Sequence, residues 1–361
     1  MSHKLPISLC MIAKNEEQFI GTALESVRAV LNLDEMIVVD TGSEDRTKDI
    51  ALDNGARVLD FTWCDDFAAA RNFAAEKAKN DWILALDADE EVIGADLREL
   101  HLFTRDSHKV GTVTVVEMHD KSTYPISRLY SRVRYAFSGI IHEQVRPTSG
   151  NRKVIKNSSI QMLHYGYAPE FMEAKRKLGR NEELLLKALA DAPDDPYLLY
   201  QLGKCYYSDN SNMAQACLSF EKALSSSPDY RLEYVHSLVE CCGYALINTG
   251  QYEKALRLVE KYTRHYGRTP QFRFLTAHVL QNNGMFIEAV EHYESCIGAN
   301  AVDYKGITSF LSYYNMGVVL ECVGMVEDAV QMYGKCGDYA PALTRLGELG
   351  MGNDELQTPN S

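Results

Sequence analysis

Trp82-Ile83-Leu84-Ala85-Leu86-Asp87-Ala88-Asp89-Glu90-Glu91 decides the fold. Five apolar residues run without interruption and then meet four carboxylates in the next five positions. An apolar run this short, closed by acidic residues, reads as a strand whose carboxyl end opens on a charged rim. The same grammar holds on the N-terminal side. Ile7 to Ala13 and Met36 to Val39 are apolar runs, Gly21 to Val30 carries apolar residues at helical spacing, Arg57 to Phe61 reads as a third strand, and Phe67 to Lys79 as an alanine-rich helix. Strands alternating with helices predict an α/β domain with a parallel sheet covered on both faces. Ligands of such sheets sit beyond the carboxyl ends of the strands.

The unusual residues fall at those ends. Asn15 and Glu16 follow the first run, Asp40 to Asp45 follow the second, and Asp87 to Glu91 follow the fourth. Any one of them can be a helix cap, and Asp45 before Thr47 and Ile50 has that form. Together they place three acidic turns on one rim. Asp-x-Asp after a strand offers hard oxygen ligands, so a divalent cation is its natural guest. The chain has neither the Gly-x-Gly-x-x-Gly turn nor the Gly-x-x-x-x-Gly-Lys-Ser/Thr loop, so a phosphate ligand here would be bridged by metal rather than cradled by glycines. Arg71 and Asn72 sit in the alanine-rich helix, where the guanidinium either lies on a solvated face or meets a phosphate or carboxylate.

The whole chain is 361 residues with 37 basic and 50 acidic side chains, a formal charge of -13. That length implies two domains, and that charge repels nucleic acid. Ile7 to Ala13 ends at once in Lys14, Asn15, Glu16 and Glu17, which fits a strand rather than a signal peptide or membrane span, so a cytoplasmic protein is expected. Of nine cysteines, Cys217, Cys241, Cys242, Cys296, Cys322 and Cys336 lie inside apolar helical patterns and are expected as reduced core thiols.

From about residue 171 helical periodicity takes over. Gly203, Gly243, Ala277 and Gly317 align with one another, as do Gly250, Gly284 and Gly324, and Ala216, Ala255, Ala289 and Ala329, with Phe220, Tyr293 and Tyr333 four residues beyond their alanines. Spacings of 34 to 40 residues in this small-small-aromatic order match the tetratricopeptide pattern. The small residue is expected to let the two helices of a repeat approach, and the aromatic to fill the gap to the next repeat. The expected domains are residues 1–170, a connecting helix within 171–191, repeats over 192–351, and a disordered tail over 352–361. Repeats of this kind present a surface for a peptide, a protein or a second copy of the chain.

The collinear order of the Ile7 to Ala13 strand, Asn15-Glu16-Glu17, Val38-Val39-Asp40-Thr41-Gly42-Ser43, Ala70-Arg71-Asn72 and Leu86-Asp87-Ala88-Asp89 resembles the family 2 glycosyltransferases of GT-A fold. With its repeats, the chain is similar to the subgroup that includes the S-glycosyltransferases of glycocin peptides. The resemblance implies an inverting, Mn2+- or Mg2+-dependent transfer from a nucleotide-sugar donor, UDP-linked in expectation, to an acceptor, with a peptide or protein side chain expected. It places Asn15, Glu16, Asp40, Arg71, Asp87 and Arg128 at the donor, with Asp40 on the uracil or ribose, Asp87 near the ribose or metal waters, and Asp89 on the metal. Phe137-Ser138-Gly139-Ile140-Ile141-His142-Glu143 resembles the family's Gly-x-x-His-Glu segment and makes Glu143 the candidate base, with His142 next. His164 resembles a late histidine that completes a metal shell. Arg128 reaches a diphosphate or acceptor in this reading, or else is a surface strand arginine. Two other functions fit parts of the chain, a tetratricopeptide scaffold with an inactive transferase domain and a nucleotidyltransferase. The latter would want a glycine-rich, basic loop after the first strand, where Lys14-Asn15-Glu16-Glu17 stands.

Overall fold

The computed structural model describes residues 4–118, 121–150, 153–165, 173–208, 212–298 and 306–350. The chain divides into two compact units, Met1–Ala188 and Leu189–Ser361. The first opens with β1 (Leu5–Ala13), α1 (Ile20–Leu31), β2 (Leu33–Asp40), α2 (Thr47–Asp53), β3 (Arg57–Asp60), α3 (Phe67–Lys77) and β4 (Trp82–Leu86). It continues through β5 (Glu90–Gly94), α4 (Leu97–Phe103), β6 (Lys109–Glu117), β7 (Thr123–Ser131), β8 (Tyr135–Ser138), β9 (Gln144–Pro147) and β10 (Val154–His164).

Eight strands form one sheet in the order β3-β2-β1-β4-β7-β6-β10-β5, while β8 and β9 pair separately. β3, β2, β1 and β4 are parallel, and β6 and β10 run the same way. β7 is reversed because a short connection joins it to β6, and only antiparallel neighbours can be linked so tightly. β5 is reversed against β10. The expected parallel sheet is thus a mostly parallel one. Its direction puts the carboxyl ends of β1, β2, β4, β6 and β10 on one rim.

Both faces of the sheet are covered, as the unbroken apolar runs require. Ile7, Leu9 and Met11 of β1 pack with Ile20, Leu24 and Val27 of α1 on one face. Cys10 of β1, Ile37 and Val39 of β2 and Ile83 of β4 pack with Ala68, Ala74 and Ala75 of α3 on the other. The small side chains of α3 let its backbone lie close over the strands. Asp66 caps it, its carboxylate accepting from the Ala69 amide at 2.9 Å.

After α5 (Glu173–Asp191), the second unit stacks α6 (Pro196–Ser208), α7 (Met213–Ser225), α8 (Glu233–Asn248), α9 (Tyr252–Tyr266), α10 (Pro270–Asn282), α11 (Phe286–Glu294), α12 (Phe310–Cys322), α13 (Val326–Gly334) and α14 (Ala340–Glu348). The helices pair as α6 with α7, α8 with α9, α10 with α11 and α12 with α13. Gly250, Gly284 and Gly324 hold left-handed backbone, with φ of 70°, 75° and 83°, at the turns inside the last three pairs. The aromatic residue works differently from the expectation. A Cβ on Gly203 would stand 2.4 Å from the Phe220 ring, and one on Gly317 2.6 Å from the Tyr333 ring. Each aromatic therefore packs directly onto the glycine of its own repeat.

Cys10, Cys217, Cys242, Cys296 and Cys336 are buried free thiols, but Cys322, expected in the core, is exposed. Its helix turns that position outward at the end of α12. The expected disordered tail at 352–361 lies outside the described residues. Among the described residues, no helix is long and apolar enough to cross a membrane.

Candidate active site

The first group on the rim is built around Asp40. The β2 strand ends there, and the Asp40 side chain, 3% exposed, turns back so that Oδ2 accepts from the amides of Gly42 and Ser43, both at 3.0 Å. Its other oxygen, Oδ1, is buried without a hydrogen-bond partner among the described residues. A buried carboxylate oxygen in this state has the capacity to accept a hydrogen bond from a ligand. The turn is fastened to the end of β1. Asn15 donates its amide to Ser43 Oγ at 2.9 Å and accepts from the Glu44 amide at 2.9 Å, while Glu16 donates its amide to Thr47 Oγ1 at 2.7 Å. Asp45 Oδ2 accepts from the Glu17 amide at 3.1 Å. Asn15 and Glu16 therefore hold the turn that presents Asp40.

Asp87 forms the second group with two arginines from elements distant in sequence. Arg71 of α3 donates through Nη2 to Asp87 Oδ1 at 2.7 Å and through Nε to Glu143 Oε1 at 2.5 Å. Arg128 of β7 donates to Asp87 Oδ2 at 2.6 Å and to Glu90 Oε1 at 3.3 Å. Both arginines are 7% exposed, which removes the alternatives of a solvated helix face for Arg71 and a surface strand for Arg128. Burial by itself would raise the Asp87 pKa, but the Arg128 and Arg71 charges overcome it and hold the carboxyl well below the usual range. Glu90 goes the other way. Burial pushes it up, and the attraction of Arg128 does not cancel that push. Arg71 Nη1 and Arg128 Nε remain buried donors without hydrogen-bond partners among the described residues. Asn72, next to Arg71, exchanges two 2.9 Å bonds with the Phe137 backbone and ties α3 to β8. That tie, with the Phe67 amide donating to the Ile140 carbonyl at 2.9 Å, fixes the approach to His142 and Glu143. His142 stands at φ 50°, in left-handed backbone beside Glu143.

The third group joins Asp89 and His164. His164 ends β10, with its carbonyl accepting from the Met118 amide at 2.9 Å, and the next amide, Tyr165, donates to the Asp89 carbonyl at 3.2 Å. The imidazole is set between two carboxylates, with Nε2 3.4 Å from Asp89 Oδ2 and Nδ1 3.1 Å from both oxygens of Glu117. The Asp89 bond outweighs partial burial and, with Glu117, pushes the His164 pKa up to about 9. Among the described residues, no three His, Cys, Asp or Glu side chains converge to hold a metal ion. The pair Asp89 and His164 nevertheless fits one: replacing the Nε2 proton by a cation leaves a carboxylate oxygen and an imidazole nitrogen facing it.

Sequence reasoning missed Glu117 and left Glu90 without a role. Glu117 carries the signal that exposed Asp40, an acid closing an apolar strand at its carboxyl end.

A mostly parallel sheet with acids at the carboxyl ends of its strands is of the GT-A-like class. Residues 8–176 match the model of glycosyl transferase family 2 and residues 196–230 that of a tetratricopeptide repeat. The first unit is thus a family 2 glycosyltransferase domain, joined in one chain to tetratricopeptide repeats. A TPR repeat-containing protein of Synechococcus elongatus is 36% identical over 208 residues, 55% of this chain and 51% of that protein. The SPbeta prophage-derived glycosyltransferase SunS of Bacillus subtilis is 30% identical over 210 residues, 55% of this chain and 48% of its own length. The chain spans about half the length of these curated relatives. A solved glucosyl-3-phosphoglycerate synthase from Mycobacterium tuberculosis, in complex with Mn2+, UDP and glucosyl-3-phosphoglycerate, is 22% identical, with a TM-score of 0.26 over 31% of this chain and 44% of that one.

Proposed function

We propose that the chain is an inverting, metal-dependent glycosyltransferase that moves a sugar from a UDP-linked donor to a peptide or protein acceptor recognised by the repeats. One observation carries the reading: Asp89 and His164 face each other at 3.4 Å on the rim where Asp40 keeps a buried oxygen unpartnered. Asp40 Oδ1 accepts from the nucleotide base or ribose, with Asn15 and Glu16 keeping its turn in place. Asp89 and His164 hold Mn2+ or Mg2+, which when bound stabilises the departing diphosphate as a Lewis acid. Arg71 and Arg128 aim their remaining buried N–H groups at the donor's anionic part. Asp87 keeps both guanidinium groups at that station, since each of its oxygens is already committed to one of them. Glu143, oriented by Arg71 Nε, takes the proton of the acceptor nucleophile as its bond to the anomeric carbon forms and the bond to the diphosphate breaks. A single displacement inverts the anomeric centre.

A thermal-shift screen of sugar nucleotides with and without Mn2+ tests the reading, because a ligand that binds only the folded state raises the melting temperature by mass action. A metal-dependent rise with a UDP-sugar is expected. No rise with any sugar nucleotide would favour the scaffold function.

A further inference from the structure

Glu117 has no part in the function proposed above, yet its position is among the most constrained on the rim. Its amide donates to the Ser122 carbonyl at 2.9 Å, and its own carbonyl accepts from the Lys121 amide at 3.0 Å, so the backbone at the end of β6 is pinned on both sides. It stands in register with His164 on the adjacent parallel strand β10. The Tyr124 hydroxyl donates to Glu117 Oε1 at 2.7 Å and orients the carboxylate from β7. That carboxylate meets His164 at Nδ1, the nitrogen turned away from Asp89. It lies across the ring from the point that Asp89 and Nε2 share, so it is not a third ligand to that point.

We propose that Glu117, oriented by Tyr124, is a positioning residue that keeps the proton on His164 Nδ1 and aims the Nε2 lone pair at the metal shared with Asp89. The inference rests on reading Asp89 and His164 as the metal pair. Physically, an imidazole has two ring nitrogens, and the partner of one decides which of them is left to ligate. A carboxylate on the non-ligating N–H fixes both tautomer and ring orientation and makes the imidazole a better donor. Without it, the ring rotates about its side-chain bonds and divides its proton between the two nitrogens. Both changes weaken the metal without touching the fold of the sheet.

The test is Mn2+ affinity of the full chain in the presence of UDP, read as free Mn2+ by electron paramagnetic resonance, with melting temperature measured alongside. Glu117→Gln should weaken Mn2+ by about 10–100-fold, the usual cost of losing an outer-shell partner, and Tyr124→Phe by a smaller factor in the same direction. Asp89→Ala and His164→Ala serve as references and should each abolish tight Mn2+ binding. If those two lose Mn2+ and folded Glu117→Gln keeps wild-type affinity, the positioning role is wrong and the metal pair stands. If all four variants bind Mn2+ like wild type, the metal pair itself is wrong. Should Glu117→Gln not fold, Tyr124→Phe decides, with unchanged affinity overturning the proposal.

Discussion

Both units bury polar side chains, and they do so in opposite ways. On the rim of the first unit, Arg71 and Arg128 share Asp87, Arg71 also holds Glu143, and Arg128 also holds Glu90, so each buried charge has an opposite one against it. In the second unit Glu240 of α8 is largely buried, its Oε1 has no hydrogen-bond partner among the described residues, and His236 Nε2 stands 3.4 Å away. Burial alone pushes its pKa up to about 7. The repeats gain their order from contacts such as Phe220 on Gly203, repeated along the stack, and tolerate a single buried carboxylate whose one near partner is a histidine on its own helix. The rim concentrates charge at one place, where removing any member strands another. A linked set of buried ions is weak evidence for stability but strong evidence for a site whose geometry matters.

The largest effect expected is kinetic. Glu143→Gln keeps the shape and the Arg71 contact while removing the proposed proton acceptor, so donor binding should persist and transfer to acceptor should fall by about 10²–10⁴-fold. Initial rates at saturating donor check it. A loss below about tenfold would place Glu143 among the structural partners of Arg71 and make His142 the next base to examine.

Asp87→Asn breaks the shared partner of two buried guanidinium groups. About 3 kcal/mol of the first unit's stability should go, toward the low end for a broken buried pair because Asp87 is itself one-third exposed. Trp63 and Trp82, the only tryptophans, both lie in this unit, so denaturation followed by tryptophan fluorescence reports it selectively. An unchanged midpoint would show that the arginines are held by Glu143 and Glu90 alone.

Glu240 offers the smallest test, on the other side of the comparison. Its folded pKa of about 7 lies above the ordinary 4.5, so its stabilising contribution is complete below pH 4.5 and is lost as pH rises through about 7. Glu240→Gln should therefore raise the melting temperature of the repeats by about 3–6 °C near pH 8 and by little near pH 5. Far-ultraviolet circular dichroism at the two pH values is the measurement, and equal shifts at both would mean that Glu240 is not ionising in a buried place.

What was legible in the sequence follows from how local each signal is. β1, β2 and β4 announce themselves because an apolar run and the acid that closes it are contiguous, and Asp40 and Asp89 come with them. The repeats are legible because Gly203, Gly243, Ala277 and Gly317 recur. Arg128 was open between site and surface because Asp87 and Glu90, which hold it, come from another element. Glu117 escaped because its partner His164 is 47 residues away and meets it only through the register of β6 with β10. The division of buried thiols failed at Cys322, where helical periodicity gave the helix but not which of its faces meets the next repeat.

Whether Asp89 belongs to a metal-dependent donor site is tested most directly by calorimetry of UDP binding with and without Mn2+, on the wild type and Asp89→Ala. The wild type should bind UDP tightly only with Mn2+, and the variant, its fold intact because the half-buried Asp89 pairs with His164 on the rim and takes no part in the apolar core, should lose the metal-dependent part. Mn2+-dependent UDP affinity in the variant equal to that of the wild type would contradict the claim.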